Sequence, residues 1–249
     1  MPDNESTYFK LSPSSPSSSA DWQLTPLPNG ASDAVSGQDF RVSFAASEQL
    51  MAEQQKRISA LPANGAEFEV KRKSDRICFA GREIVLQCAP DERDERLSLL
   101  KDFCQVFSRV EILEKQTFEL LKSAKEDSAW TGRVDQKLLP DYERLSVKNR
   151  EAINGRIEFA QLKRSLFQAE DNSDDEKLFS ELVEASGLEE RVELLDDEIE
   201  VAEEVYGVCI DRLSEFSYFW REFQAEMWII VILVVELVEF FFDIALQVK

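Results

Sequence analysis

The sequence predicts a mainly α-helical protein with a small antiparallel β region, in which a long helical hairpin or coiled-coil stalk continues into one C-terminal transmembrane helix. Three observations carry this expectation. From Leu188 onward, apolar or small residues recur at alternating steps of four and three, the 3.5-residue period of a helix that packs along its length against another helix. From Met227 to Val248, fifteen of twenty-two residues are Ile, Leu, Val or Phe; at ~1.5 Å per residue that run spans roughly 33 Å, enough for a hydrocarbon core. Between Phe68 and Cys88 the apolar residues alternate with period two, the pattern of half-buried strands.

Residues 1–47 are rich in Ser, Pro, Asn and Asp, and such composition buries too little apolar surface to offset the entropy of ordering. They are expected to form a disordered tail in which Tyr8 and Trp22 are either idle or short anchoring points for a partner. Residues 48–90 form the β-containing region. Leu50 to Leu61 reads as a short helix or an edge element, and three strands follow, on Phe68 and Val70, on Ile77 and Phe79, and on Ile84, Leu86 and Cys88. Ala80-Gly81 supplies the turn between the second and third, with glycine where a positive φ costs little. The triplet Lys71, Arg72, Lys73 reads as solvated edge charge that discourages edge-to-edge pairing, or as a patch for lipid headgroups.

Residues 91–225 form the helical domain. After Pro90-Asp91 a helix runs from Glu92 to about Glu126 on a seam of Leu100, Phe103, Phe107, Val110, Leu113, Thr117, Leu120 and Ala124. Trp130-Thr131-Gly132 ends it. Pro140-Asp141 opens a second, basic helix with Leu145, Ala152, Ile153, Ile157, Ala160 and Phe167 on its seam, and a polar turn from Glu170 to Asp175 leads to the acidic helix. A basic helix, a turn and an acidic helix favour an antiparallel hairpin, with the seam supplying stability and the charges selecting the pairing. The seam of the last helix, Leu188, Val192, Leu195, Ile199, Tyr206, Leu213, Phe216 and Trp220, is the expected oligomer contact.

Residues 226–249 form the expected anchor, entered at Trp228. Fifteen branched or aromatic residues favour insertion by roughly 7 kcal/mol, against about 2.5–3.5 kcal/mol for an acid at the centre and less toward the ends. The acids Glu236, Glu239 and Asp243 share one helical face. Three readings follow: a polar stripe lining an ion path, acids tolerated at an interface or in an oligomer, or a buried helix of a water-soluble assembly. With only Lys249 beyond the span, the expected placement is single-pass, the N-terminal domain cytoplasmic, and Arg212 and Arg221 on that side agree with the positive-inside rule. Residues 1–47 show neither the three-part pattern of a secretory signal nor an arginine-rich presequence.

The net charge of −20 speaks against direct nucleic-acid binding, which needs a basic surface. Between Glu170 and Glu204 sixteen acids stand against Lys177 and Arg191, either a solvated helix face or a docking surface for a basic protein partner. The chain contains no histidine, and so lacks the commonest general base and metal ligand. No nucleophile, base and oxyanion donor fall into a recognisable pattern, and no catalytic, cofactor or metal residue is assigned. Cys78, Cys88, Cys104 and Cys209 read as small buried hydrophobes, with Cys78 and Cys88 as the one pair able to face each other across a hairpin.

Leu188 to Val201 (LEERVELLDDEIEV) and Glu226 to Glu236 (EMWIIVILVVE), with weaker echoes at Leu99 to Lys122 and Leu145 to Lys148, resemble the required-for-meiotic-nuclear-division family. The resemblance covers about 160 residues by the order of its parts, and departs where Asp171 to Asp175 stand in place of the family's Pro-aromatic-Trp segment. It implies a small β-containing region, a helical hairpin and a closing membrane helix, with no enzyme activity and no cofactor. The functional expectation is a non-enzymatic, membrane-anchored oligomeric scaffold or tether. The alternative is a subunit of a cation channel or transporter with Glu236, Glu239 and Asp243 lining a pore.

Overall fold

A computed structural model describes residues 8–15, 18–27, 39–45, 51–52, 56, 67–73, 75–128, 142–167 and 173–247. The elements are β1 (Tyr8–Ser15), β2 (Ser18–Leu27), β3 (Phe40–Phe44), β4 (Glu67–Arg72), β5 (Asp75–Ala80), β6 (Glu83–Gln87), α1 (Arg93–Asp127), α2 (Tyr142–Phe167), α3 (Asp174–Ala185) and α4 (Leu188–Gln247). They divide into two compact units, Met1–Gln116 with Ile157–Asp197, and Thr117–Arg156 with Glu198–Lys249. Most of Leu50 to Leu61, the Trp130 to Gly132 stop, Pro140-Asp141 and Val248 lie outside the described residues.

The first unit is built on one six-stranded sheet in the order β2-β1-β3-β6-β5-β4. This corrects the expectation of a small antiparallel region. β3 and β6 pair in parallel, with Val42 opposite Ile84, and β1, β2 and β3 come from residues expected to be a disordered tail. The reason is visible in β3, whose Phe40 and Val42 are fully buried: five residues among Ser, Gly and Asp suffice once a neighbour completes the ladder on each side. Trp22 is likewise buried, its ring 5.8 Å from that of Phe40.

One face of the sheet packs on α1 through an aromatic cluster. Phe79 lies 5.8 Å from Phe103 and 5.5 Å from Phe107, and stacks on Phe68 at 4.8 Å. Such pairs add about 0.5–1.5 kcal/mol each beyond area burial. Guanidinium groups cover the cluster edges: Arg82 sits 4.4 Å over Phe40 and Arg191 5.0 Å over Phe107. The other face buries Cys78 and Val85 with Ala45 and Met51. Cys78 pairs with Val85 in the β5–β6 register, so Cys88, beyond the end of β6, does not face it; all four cysteines are free thiols. The turn residues are Gly81 and Arg82, one position later than expected, with Gly81 at φ +59°.

Ion pairs tie the sheet to α3. Arg96 donates from Nε to Asp75 at 2.7 Å, both groups buried, and also pairs with Asp175. Arg72 on edge strand β4 reaches Glu181 at 2.8 Å and Asp174 at 3.2 Å, and Lys73 also pairs with Asp174. Two of the three basic residues expected to be solvated edge charge therefore clamp α3 onto the strand. α3 starts on Ser173, whose Oγ accepts from the Glu176 N–H at 3.3 Å, the Ser-x-x-Glu pattern of an N-terminal cap. It ends at Gly187 (φ +65°), whose N–H donates to Glu184, and the next residue opens α4. The acidic helix is thus two helices.

In the second unit, Leu120 and Ala124 of α1, Leu145 and Ala152 of α2, and Ala202, Tyr206, Cys209 and Leu213 of α4 form one buried cluster. The α1 seam lies where its period placed it. The α2 seam does not: Ile153 and Ile157 are exposed, while Phe159 is buried. Leu145, Ala152, Phe159 and Leu166, each buried, hold a strict seven-residue spacing, and choosing the branched residues after Ala152 departs from it.

The expected transmembrane helix is overturned. No helix among the described residues is long and apolar enough to cross a membrane. Glu226 and Asp243 bracket the apolar run and Glu236 and Glu239 interrupt it, so any 18-residue stretch of it takes in at least three acids. At about 2.5–3.5 kcal/mol for an acid near the centre and less toward the ends, the acids offset much of the roughly 7 kcal/mol from the apolar residues. The single-pass, tail-anchored placement and its cytoplasmic orientation fall with that helix.

Candidate self-association surface

The heptad pattern of α4 divides into two parts. Leu188, Val192 and Leu195 are buried within the first unit, and Ile199, Tyr206 and Leu213 within the second. These six of the eight expected contact residues are covered by the chain itself. Phe216 and Trp220 are half-buried, with the Trp220 ring 5.7 Å from Phe223.

From Arg221 to Glu239 every residue is exposed. The seam spacing nonetheless continues through Phe223, Met227, Ile230, Val234 and Leu237. At about 100° per residue these positions share one face with Phe219, Val231 and Val238, while Arg221, Glu236 and Glu239 fall opposite. Trp228, at 67% exposure, lies toward the charged side. Asp243 continues the acidic face by position, its side chain outside the described residues.

Exposed apolar residues in this segment include Met227, Trp228, Ile229, Ile230, Ile232 and Leu233, each between 43% and 67% exposed. With the rest of the stretch they present on the order of 1,000 Å² of apolar surface, where the largest patch on an ordinary monomer is roughly 300–600 Å². No Pro or Gly follows Gly207 to break α4 there. The helix there is apolar around most of its circumference: Arg221, Glu236 and Glu239 lie on the side away from the seam beside Trp228, Ile232 and Val235, and Glu226 flanks the seam.

Elsewhere among the described residues, burial is the first cause of the shifts of the thiols and of one phenol. Burial pushes the Cys78 and Cys88 thiols up to about 11, and raises Cys104 and Cys209 as well, opposite to the shift that makes a nucleophilic thiolate. Burial, then the neighbouring Asp127 carboxylate, raises the Tyr206 phenol. No group of three or more Cys, Asp or Glu among the described residues is placed to hold a metal ion.

The acidic stretch from Glu170 to Glu204 is partly spoken for. Asp174, Asp175 and Glu181 pair with Arg72, Lys73 and Arg96, and Asp196 pairs with Lys163 at 3.2 Å. Glu189, Glu190, Glu193, Glu200 and Glu204 remain exposed. Sequence reasoning missed a second stripe on α1, in which Glu95, Leu99, Asp102, Val106 and Arg109 recur at steps of three and four on a face other than the seam. Together with Phe179 it lines a cleft.

Compared with models of known protein families and with curated proteins, the chain matches none. The likeness to the required-for-meiotic-nuclear-division family rests on the quoted residues alone.

Proposed function

We propose that the chain is a non-enzymatic scaffold that assembles with copies of itself through the far end of α4. The observation that carries this reading is the exposed face of Phe223, Met227, Ile230, Val234 and Leu237, which continues the spacing of a seam that the chain buries against itself up to Leu213. A second copy of the same helix supplies a matching seam at the same period, so knobs meet holes along the whole stretch. Set seam to seam, the two helices keep Glu236 and Glu239 outward in water and leave Glu226 at the rim of the contact. The family resemblance, which implies no enzyme activity, is consistent with this role. The channel alternative needs a membrane helix, which the described residues do not supply.

The test is sedimentation velocity on the full chain at micromolar concentration. A discrete oligomer is expected, and Ile230→Glu with Val234→Glu should return it to monomer without changing the helical circular-dichroism signal. A monomeric wild type sinks the reading, as does a monomer that sediments only after lipid vesicles are added.

A further inference from the structure

The first unit holds a cleft of about 500 Å³ lined by one face of α1, the start of α3 and Ser165 of α2. Its apolar part is Leu99, Val106 and Phe179, the last also packed edge-on against Phe103 at 6.1 Å. Glu95, Asp102, Asp175 and Glu176 supply acids around it, and among the described residues Arg109 is the one cation on its wall. Asp175 is engaged by Arg96. Glu176 is not: its Oε2 is shut off from water and has no hydrogen-bond partner among the described residues. Glu95 and Arg109 are fourteen residues apart on α1, so the lined length is roughly 21 Å, about four helical turns.

We infer that this cleft docks a basic amphipathic segment of a partner protein, with apolar side chains over Leu99, Val106 and Phe179 and lysines or arginines facing Glu95, Asp102 and Glu176. Charge complementarity selects this occupant. The acidic rim disfavours a nucleic acid, whose phosphates carry the same sign. A small polyamine satisfies the acids but leaves the apolar surface wet. A helix carrying both features fills the length and covers the floor, the mode in which an amphipathic helix lies in a groove. Arg109 gives the cleft a polarity, with the basic part of the segment placed toward Glu95 and Glu176. The cleft and the α4 face share no residue.

The probe is a fluorescein-labelled peptide of about fourteen residues, Leu on one helical face and Lys on the other, titrated into the full chain by fluorescence anisotropy. Micromolar binding is expected, weakened about tenfold by Asp102→Asn with Glu176→Gln. The control pair Glu203→Gln with Glu204→Gln removes the same charge elsewhere and should change affinity less than about twofold. A peptide with Leu replaced by Ser, its charge intact, should bind at least about tenfold more weakly. No binding, equal loss in both variant pairs, or equal binding of the Ser peptide overturns the inference in favour of diffuse attraction to an acidic chain. A photoreactive group at the central Leu gives a second readout on unaltered protein: cross-links within Leu99–Arg109 support the cleft, and cross-links within Arg221–Glu239 overturn it.

Discussion

The Tyr206 hydroxyl donates to Oδ2 of Asp127 at 3.3 Å, inside the apolar cluster of the second unit. Asp127 is the last residue of α1 and is 4% exposed. Arg144 of α2 donates to the same carboxylate through two nitrogens, at 2.8 and 3.2 Å, and the Cys209 thiol lies 3.8 Å from the Asp127 carbonyl oxygen. One carboxylate thus joins three helices where the surrounding contacts are otherwise apolar. It links their hydrogen bonds through one buried group.

Asp127→Ala should therefore destabilise the chain by about 2–3 kcal/mol, because it removes the acceptor of a buried hydroxyl and a two-nitrogen contact of Arg144, whose side chain is 47% exposed. Tyr206→Phe removes only a donor and should cost about 1 kcal/mol. Urea unfolding followed by circular dichroism separates the two. Equal, small losses would mean that the network contributes little.

The seam of α2 is checked by truncation at neighbouring positions. Phe159→Ala, at a 3% exposed site, should cost about 3–5 kcal/mol, whereas Ile157→Ala, at 52% exposure, should stay within about 1 kcal/mol. The opposite ranking would restore the register expected from the most apolar residues.

Gly187 separates α3 from α4 at φ +65°, and among the described residues no atom beyond its two chain neighbours lies within 4 Å of the point where a Cβ would stand. Gly187→Ala meets no steric neighbour, so its cost is backbone strain alone, about 1–2 kcal/mol. A thermal melt showing a loss in that range, and not a gain, confirms a left-handed turn at this point; continuous helix through Ser186 and Gly187 would be stabilised by the same change.

Acid should loosen the attachment of the β4 edge. Burial pulls the Glu69 carboxyl upward, but Arg76 and Lys71 together outweigh it and the net shift is below the ordinary glutamate value. Lys73 and then Arg72 hold Asp174 low. A carboxyl lowered in the folded state contributes stability that is present above its unfolded value and is lost as pH falls through its folded value. Unfolding free energy should fall below about pH 4.5, with a shallower slope in Glu69→Gln. An unchanged slope would remove Glu69 from the account.

The thiols should resist alkylation well past neutrality. With Cys78 and Cys88 pushed up to about 11, native protein should react with iodoacetamide slowly at pH 9 and faster toward pH 11, while unfolded chain reacts readily at pH 9. Cys88, half-buried where the other three are buried, should label first. Fast native labelling at pH 8 would contradict the burial of these groups.

Much of the helical layout was legible because helix period is a local property. α1 spans Arg93–Asp127 where the seam placed a helix from Glu92 to about Glu126, and the first six seam residues of α4 are all buried. The sheet was half legible. The hairpin strands announce themselves by alternation, but β1, β2 and β3 have weak patterns and hold only through pairing with each other and with β6. Within the candidate site, the spacing of Ile230, Val234 and Leu237 could be read directly. The cleft could not, since Phe179 meets Leu99 and Val106 only after α3 is clamped by Arg72 and Arg96.

By itself the sequence determined the periods: where helices run, which of their faces are apolar, and that the chain carries neither histidine nor a basic surface. Only the tertiary structure decided what those faces meet. It covers the α4 seam with the chain's own residues as far as Leu213 and leaves Arg221 to Glu239 bare, a division that no period records, since the spacing is the same on both sides. The physical reason is that burial of an apolar stripe lowers free energy in much the same way against any well-fitting apolar neighbour. Which neighbour is present depends on contacts distant in sequence, whose entropic cost is met only when the rest of the fold brings them together.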